Sequence, residues 1–236
     1  MKIPWLTPLH PSEGRAELPT PHAEPTFMGM PDTLTPVYWT ADMARRLPED
    51  GNRYEVVYGE LLVTPAPRLW HQVLVRRLVV ALAKYLEASP VGLVLTSPAD
   101  ISWGADVLVQ PDVFVVPTEQ AKTLEWSAIR ELLLVAEVLS PSTARHDRFT
   151  KRRRYQEAGA PLYWIVDGDE RQVEVWTPGD AFPRIESDRV VWHPAGVGSP
   201  FTLSLQELSR LTQINGWDPT FVCPLKSQND ETCINR

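Results

Sequence analysis

The stretch LLLVAEVLSPST, residues 132–143, carries an acidic side chain, Glu137, inside an otherwise apolar run. An ionised carboxylate in a buried strand costs several kcal/mol unless a cation or hydrogen bonds compensate it. A second acid, Asp112, follows Pro111 and opens the run VFVV, 25 residues before Glu137. Asp and Glu on adjacent strands can point at one spot, where they repel unless a cation joins them. Hard oxygen ligands with positions left for water suit Mg²⁺ or Mn²⁺. Lys151 follows Glu137 by 14 residues. A lysine there could orient a water and offset negative charge developing on a phosphate. Glu60, just after Gly59, is a further candidate metal ligand, and Glu55 is its competitor.

These side chains need elements to hold them. TADMARRLP reads as a short helix with Thr40 as N-cap and Pro48 as stop. RYEVVYGELLVTPAP reads as two strands about a turn at Tyr58-Gly59. Residues 71–88 carry apolar side chains at 74, 75, 78, 79, 82 and 86, the spacing of a helix that packs by one stripe. VGLVLTSPADISW gives one or two strands, and VLVQPDVFVV another, interrupted by Pro111. LLLVAEVLS reads as a strand buried on both faces. RHDRFTKRRRYQEAG is a helix ended by Gly159. PLYWIVD and QVEVWT follow as strands, and SLQELSRL as a last short helix. The order gives an α/β fold, one domain over residues 37–212 with a mixed central β-sheet flanked by helices. Residues 1–36 hold eight prolines without a hydrophobic period and read as a disordered leader, with Met28 or Met30 as an alternative start. Residues 213–236 lack a pattern and read as a loose tail.

Composition bounds the function. At 236 residues, 43% hydrophobic and 22% charged, the chain is ordinary for a globular protein. No run approaches the roughly 20 apolar residues of a membrane span, and the proline-broken N-terminus is no secretory signal. The two cysteines, Cys223 and Cys233, suggest neither a disulfide framework nor a zinc site, which makes a reducing cytoplasm the expected location. The net charge of −7 excludes bulk coating of nucleic acid. Residues 145–154, RHDRFTKRRR, nevertheless carry +5, leaving −12 on the rest of the chain. A basic patch on an acidic body suits a polyanion met at one place. Arg145, Arg148, Arg152 and Arg154 are therefore candidate nucleic-acid contacts, against the alternative of a solvated helix face.

PD at 111–112, EVL at 137–139 and Lys151 together resemble the PD-(D/E)XK nuclease superfamily. The wider pattern is YEVVYGEL, TPAP with His71, PDV, EVLSPST, DRFTKRRRYQEAG and YWIVD. It resembles the Uma-type family of restriction endonucleases over about residues 38–180. The resemblance implies a metal-dependent phosphodiesterase with a restriction-endonuclease-like core. Asp112 and Glu137 would be metal ligands, and Lys151, singled out among four consecutive basic residues only by this pattern, the catalytic lysine. The chain departs from the superfamily's simplest form, which has lysine two residues after the acid; position 139 is Leu. It departs again at Tyr58, where relatives usually carry Asp.

The resulting expectation is a Mg²⁺- or Mn²⁺-dependent endonuclease acting on DNA, or on RNA, as a homodimer if both strands are cut. His71 would either assist proton transfer or phosphate contact, or simply face solvent at a helix start. Tyr155, four residues after Lys151, would support the lysine or pack in the core, and Trp164 belongs to the core. Two other classes compete. One is a non-catalytic regulator that keeps the fold and binds nucleic acid or protein. The other is a glycosidase with two carboxylates, which needs no lysine. As a helix-surface residue, Lys151 is expected to be replaceable by Ala without loss of the fold.

Overall fold

The computed structural model describes residues 37–210. The proline-rich leader with Met28 and Met30, the tail and both cysteines lie outside them. Helix α1 (Ala41–Ala44) starts at Thr40, whose hydroxyl accepts from the Met43 amide at 3.2 Å. Strands β1 (Arg53–Val57) and β2 (Glu60–Thr64) form the expected hairpin about Tyr58-Gly59. Helix α2 (Leu69–Ala88) starts two residues before the expected 71 and buries Leu74, Val75, Leu78, Leu82 and Leu86. No helix among the described residues is long and apolar enough to cross a membrane.

Three sheets share the strands. β3 (Gly92–Thr96), β6 (Val113–Pro117), β7 (Leu134–Val138), β8 (Tyr163–Asp167), β9 (Gln172–Trp176) and β10 (Arg184–Glu186) make a six-stranded sheet of order β10-β9-β8-β7-β6-β3. Only β7 and β8 run parallel, so the sheet is mixed, as expected. A four-stranded antiparallel sheet, β2-β1-β5-β4, includes β4 (Ile101–Gly104) and β5 (Val107–Val109). β11 (Arg189–Trp192) and β12 (Phe201–Ser204) form a separate ribbon that leads into the short helix Leu205–Ser209. The sequence pattern gives a single run for VLVQPDVFVV. The structure divides it at Gln110-Pro111, where the chain leaves one sheet and enters another. Proline, which cannot donate to a ladder, stands where no ladder bond is needed.

Two cores follow from strand alternation. Val113, Val115, Leu134, Ala136, Val138, Trp164 and Val166 face α2 and the β11–β12 ribbon. Phe114, Val116, Val135, Tyr163 and Ile165 face the other way, toward Val57, Leu62, Ile101, Val107 and Val109 of the four-stranded sheet. Side chains alternate with period two along a strand. Asp112 and Glu137 therefore belong to this second, inter-sheet layer, and so does Glu55, two residues before Val57.

Residues 144–157 are helical. The segment contains a π-helical turn, His146–Lys151, followed by an α-helical part, Arg152–Glu157, and Gly159 lies beyond at φ +76°. A π turn inside a helix is often found at functional sites. Here it delivers Asp147 and Lys151 together to the interior, with Tyr155 one turn further on.

Tyr58 braces this helix against the β1–β2 turn. It takes φ 55°, a conformation that costs a non-glycine residue about 1–2 kcal/mol. Its hydroxyl donates to Glu157 at 2.6 Å, and the Arg154 guanidinium lies 5.1 Å from its ring centre. Replacing Tyr58 by Phe keeps the ring and removes the hydrogen bond, so it should lower stability by about 0.5–1 kcal/mol in urea unfolding. An unchanged midpoint would mean that the brace contributes nothing.

Candidate active site

The register sets Val113 of β6 opposite Ala136 of β7, which brings Asp112 beside Glu137. The Asp112 amide donates to Glu137 Oε2 at 3.2 Å, and the Val138 amide donates to Asp112 Oδ2 at 2.9 Å. Lys151 arrives from the helix. Its Nζ lies 2.8 Å from Glu55 Oε2, 3.1 Å from Glu137 Oε1 and 3.4 Å from Asp147 Oδ1. The lysine is 2% exposed, Glu137 1% and Glu55 0%. This corrects the expectation of a helix-surface lysine. The basic run suggests solvent, but the helix turns the face that carries Asp147, Lys151 and Tyr155, spaced by four, inward.

Asp112, Glu137 and Lys151, far apart in sequence, thus form one buried cluster. His71, in the first turn of α2, joins it through Nε2 at 3.0 Å from Asp112 Oδ2 and does not simply face solvent. The Tyr155 hydroxyl donates to Glu137 Oε1 over a long 3.5 Å, and its ring packs edge-on against Trp103. Glu60 is not brought in. It lies opposite Val57, two residues from Glu55 along β1 and roughly 7 Å nearer the hairpin tip, and it is exposed. Glu55 takes the place considered for it.

Two members escape the sequence reading. Arg53 Nη1 donates to Asp112 Oδ1 at 2.8 Å. The signal is its position two residues before Glu55, on the same strand face. Asp147 precedes Lys151 by four residues, the spacing of one helix face.

The basic patch resolves differently from its expectation. Arg148 donates to Glu174 at 2.6 Å and also pairs with Asp167. Arg152 donates to Gln156 at 2.6 Å and stacks 4.4 Å above the Trp176 ring. Arg154 pairs with Asp106 and Glu157. These three cations answer acids, amides and rings of the protein itself, and of the four candidate arginines Arg145 alone is exposed with no ion pair among the described residues.

Electrostatics show how tightly the cluster is balanced. Burial pushes the Asp112 carboxyl up, but the His71 hydrogen bond and the Arg53 and Lys151 charges outweigh it and hold it far below the usual range. Burial raises Glu137 well above its ordinary value despite Lys151, with Asp112 adding to the rise, and burial likewise raises Asp147. Burial disfavours the Lys151 ammonium, yet Glu137, Glu55 and Asp147 together stabilise it, so it stays charged. With all four carboxylates ionised, the two fixed cations, Arg53 and Lys151, would leave two negative charges uncompensated, and burial answers this by holding Glu137 and Asp147 toward their neutral forms.

That surplus fits a divalent cation in charge and donor type. Among the described residues no three His, Cys, Asp or Glu side chains form a ready metal-binding group. Mg²⁺ does not need one: it commonly takes one or two carboxylates and completes its shell with water and substrate phosphate. The cluster has access to solvent through a cleft of about 1080 Å³, lined at its floor by Arg53, His71 and Asp112.

Comparison with known proteins agrees with this architecture. The sequence profile of the Uma2 family, described as "putative restriction endonuclease", matches residues 41–210. The fold is similar to the crystal structure of a "putative nuclease" from Anabaena variabilis, with a TM-score of 0.60 and 20% identity over 72% of this chain and 97% of that one. No curated protein matches the chain.

Proposed function

Since the chain belongs to the Uma2 family of restriction-endonuclease-like proteins, we propose that it is a metal-dependent nuclease that hydrolyses phosphodiester bonds, in DNA before RNA. One observation carries the reading: a fully buried ammonium held between Glu55 and Glu137, beside Asp112. Buried ion clusters are a poor device for stability, because apolar residues of the same volume do as well or better. A cluster with surplus negative charge at the floor of an open cleft is explained by chemistry.

Asp112 and Glu137 would hold Mg²⁺ or Mn²⁺, which when bound polarises a phosphoryl oxygen and lowers the pKa of a water. The protein's own residues do the rest. Glu55 fixes Lys151, and Gln110 fixes Glu55 by donating its amide at 2.8 Å. Lys151 supplies a positive charge buried behind the Asp112 end of the cleft, where it would oppose the charge that builds up on the reacting phosphate and orient the attacking water. His71 and Arg53 hold the Asp112 carboxylate in one orientation. A glycosidase has no use for the lysine or for its cage of acids. Cutting both strands of a duplex would take a second copy of the chain.

The competing reading, a non-catalytic nucleic-acid- or protein-binding regulator, draws on one feature: both Asp112 oxygens already have protein partners. Nicking of supercoiled plasmid separates the two. The nuclease should nick in Mg²⁺ or Mn²⁺, stop in EDTA, and lose activity in Glu137→Gln. Purified protein that binds nucleic acid but cleaves neither plasmid nor single-stranded DNA in either metal favours the regulator.

A further inference from the structure

We propose, building on the nuclease reading, that the substrate is a single-stranded polynucleotide taken into the cleft, and that Arg68 and the Ser140–Ser142 hydroxyls receive its phosphates. Three observations converge.

The first is depth. Asp112 is 4% exposed and Glu137 1%, so the reacting phosphate has to come down to the cleft floor with its neighbours following. Duplex DNA is stiff over about 150 base pairs and does not fold into an opening of this size. At about 1080 Å³ the cleft is comparable with pockets that enclose one drug-sized ligand, about 300–1,000 Å³, and so takes a few nucleotides of flexible strand.

The second is where the cations are. Arg148, Arg152 and Arg154 are engaged within the protein and do not line the cleft. Of the arginines that line it, Arg45 is paired with Asp42 and Asp100, and Arg53 with Asp112. Arg68 is exposed at the mouth, ahead of α2, and makes no ion pair or side-chain hydrogen bond among the described residues. One uncommitted arginine is little for the dense phosphate array of a duplex and enough for a strand that also finds other contacts.

The third is those contacts. Ser140 and Ser142, their hydroxyls 3.0 Å apart, also line the cleft, just after the Glu137 strand, and hydroxyls are common phosphate donors. Trp70 and Tyr54, both half-buried, line the cleft as well. Aromatic rings on which any base can stack serve single strands of any sequence, and Arg68 is the cation beside them that the acids of the lining, Glu49, Asp100, Asp112 and Asp169, leave unpaired among the described residues.

The test is fluorescence anisotropy with labelled 12-nucleotide DNA and RNA single strands and the matching DNA duplex. Ca²⁺ replaces the catalytic metal for binding, and nicking in Mg²⁺ or Mn²⁺ is run in parallel on single-stranded circular DNA and on supercoiled plasmid. The DNA or RNA strand should bind about tenfold tighter than the duplex, Arg68→Ala should weaken it about fivefold, and Lys84→Ala should leave it within about twofold. Lys84 carries the same charge on the same helix, about 24 Å from Arg68 and outside the cleft. A duplex bound as tightly as the strand, or an Arg68→Ala variant that binds like wild type, overturns the inference. If nicking persists then, the nuclease reading stands. No binding by any of the three together with no nicking overturns both.

Discussion

Lys151→Ala should destabilise the protein by about 3–5 kcal/mol, besides abolishing cleavage. The ammonium stands between three carboxylates, all at most 2% exposed. Its removal leaves them facing one another in the dry layer between two sheets. Part of the penalty is relieved by protons, because burial already raises Glu137 and Asp147 above the usual carboxylate range. Relief by protons has a direction. In the unfolded chain these acids ionise near their ordinary values of about 4. A folded state that needs them protonated therefore loses stability as pH rises from there through their raised values. The deficit of the variant should be larger at pH 8 than at pH 6. Urea midpoints at the two pH values measure it, with Arg153→Ala, a 72% exposed arginine, as a control expected to stay within about 0.5 kcal/mol. A double variant, Lys151→Met with Glu137→Gln, removes both ends of one pair and should recover much of the loss. A Lys151→Ala protein that unfolds with the wild type would show that the ammonium does not hold the cluster together.

This expectation reverses the one the sequence alone suggests, and the reason shows what a sequence conceals. The lysine stands in KRRR, where charge density argues for solvent. The competing signal, Asp147, Lys151 and Tyr155 at spacings of four, is weak, because a π turn and an α turn share the work and neither period holds throughout. The strands were more legible. LLLVAEVLS and YWIVD read as buried strands because both of their faces are apolar, and Asp112 and Glu137 stand out as exceptions within such runs. Glu55 and Glu60 were harder. They fall on the same face of one hairpin, and only the register, Val57 against Glu60, shows that one lies in the layer and the other at the tip. Residues 184–204 gave no element, since β10 is short and largely exposed and the exposed position 191 of β11 is itself a valine, which hides the alternation of a half-buried strand. The break of VLVQPDVFVV between two sheets was not readable either. It matters most for function, because it places Asp112 at the seam where Glu55, Glu137 and Lys151 meet.

Divalent cation should raise the melting temperature of the wild type, and Asp112→Asn should remove most of that rise. At 100 times its dissociation constant, a ligand that binds only the folded state stabilises it by about 2.7 kcal/mol. For a domain of this size, at about 2–4 °C per kcal/mol, that is a shift of roughly 5–10 °C. The pH dependence follows from the cluster. Without the cation, the surplus charge is met by a proton on Glu137, whose raised pKa keeps the neutral form beyond the ordinary carboxylate range. Cation and proton compete for the same oxygens, so the shift should grow as pH rises from 6 to 8. Asp112 does not share this dependence, because His71, Arg53 and Lys151 keep it ionised throughout. Asn at position 112 can still accept from the Val138 amide but carries no charge, so the variant should fold, and Arg53 keeps Glu55 at 3.7 Å as a partner. Scanning calorimetry in Mg²⁺ or Mn²⁺ against EDTA reads both effects without any assay of cleavage. A shift that is the same in Asp112→Asn would place the cation away from the cluster. A wild type whose melting temperature ignores both metals would mean that the two uncompensated charges are met by protons alone, and the metal-dependent nuclease reading would fall with that result.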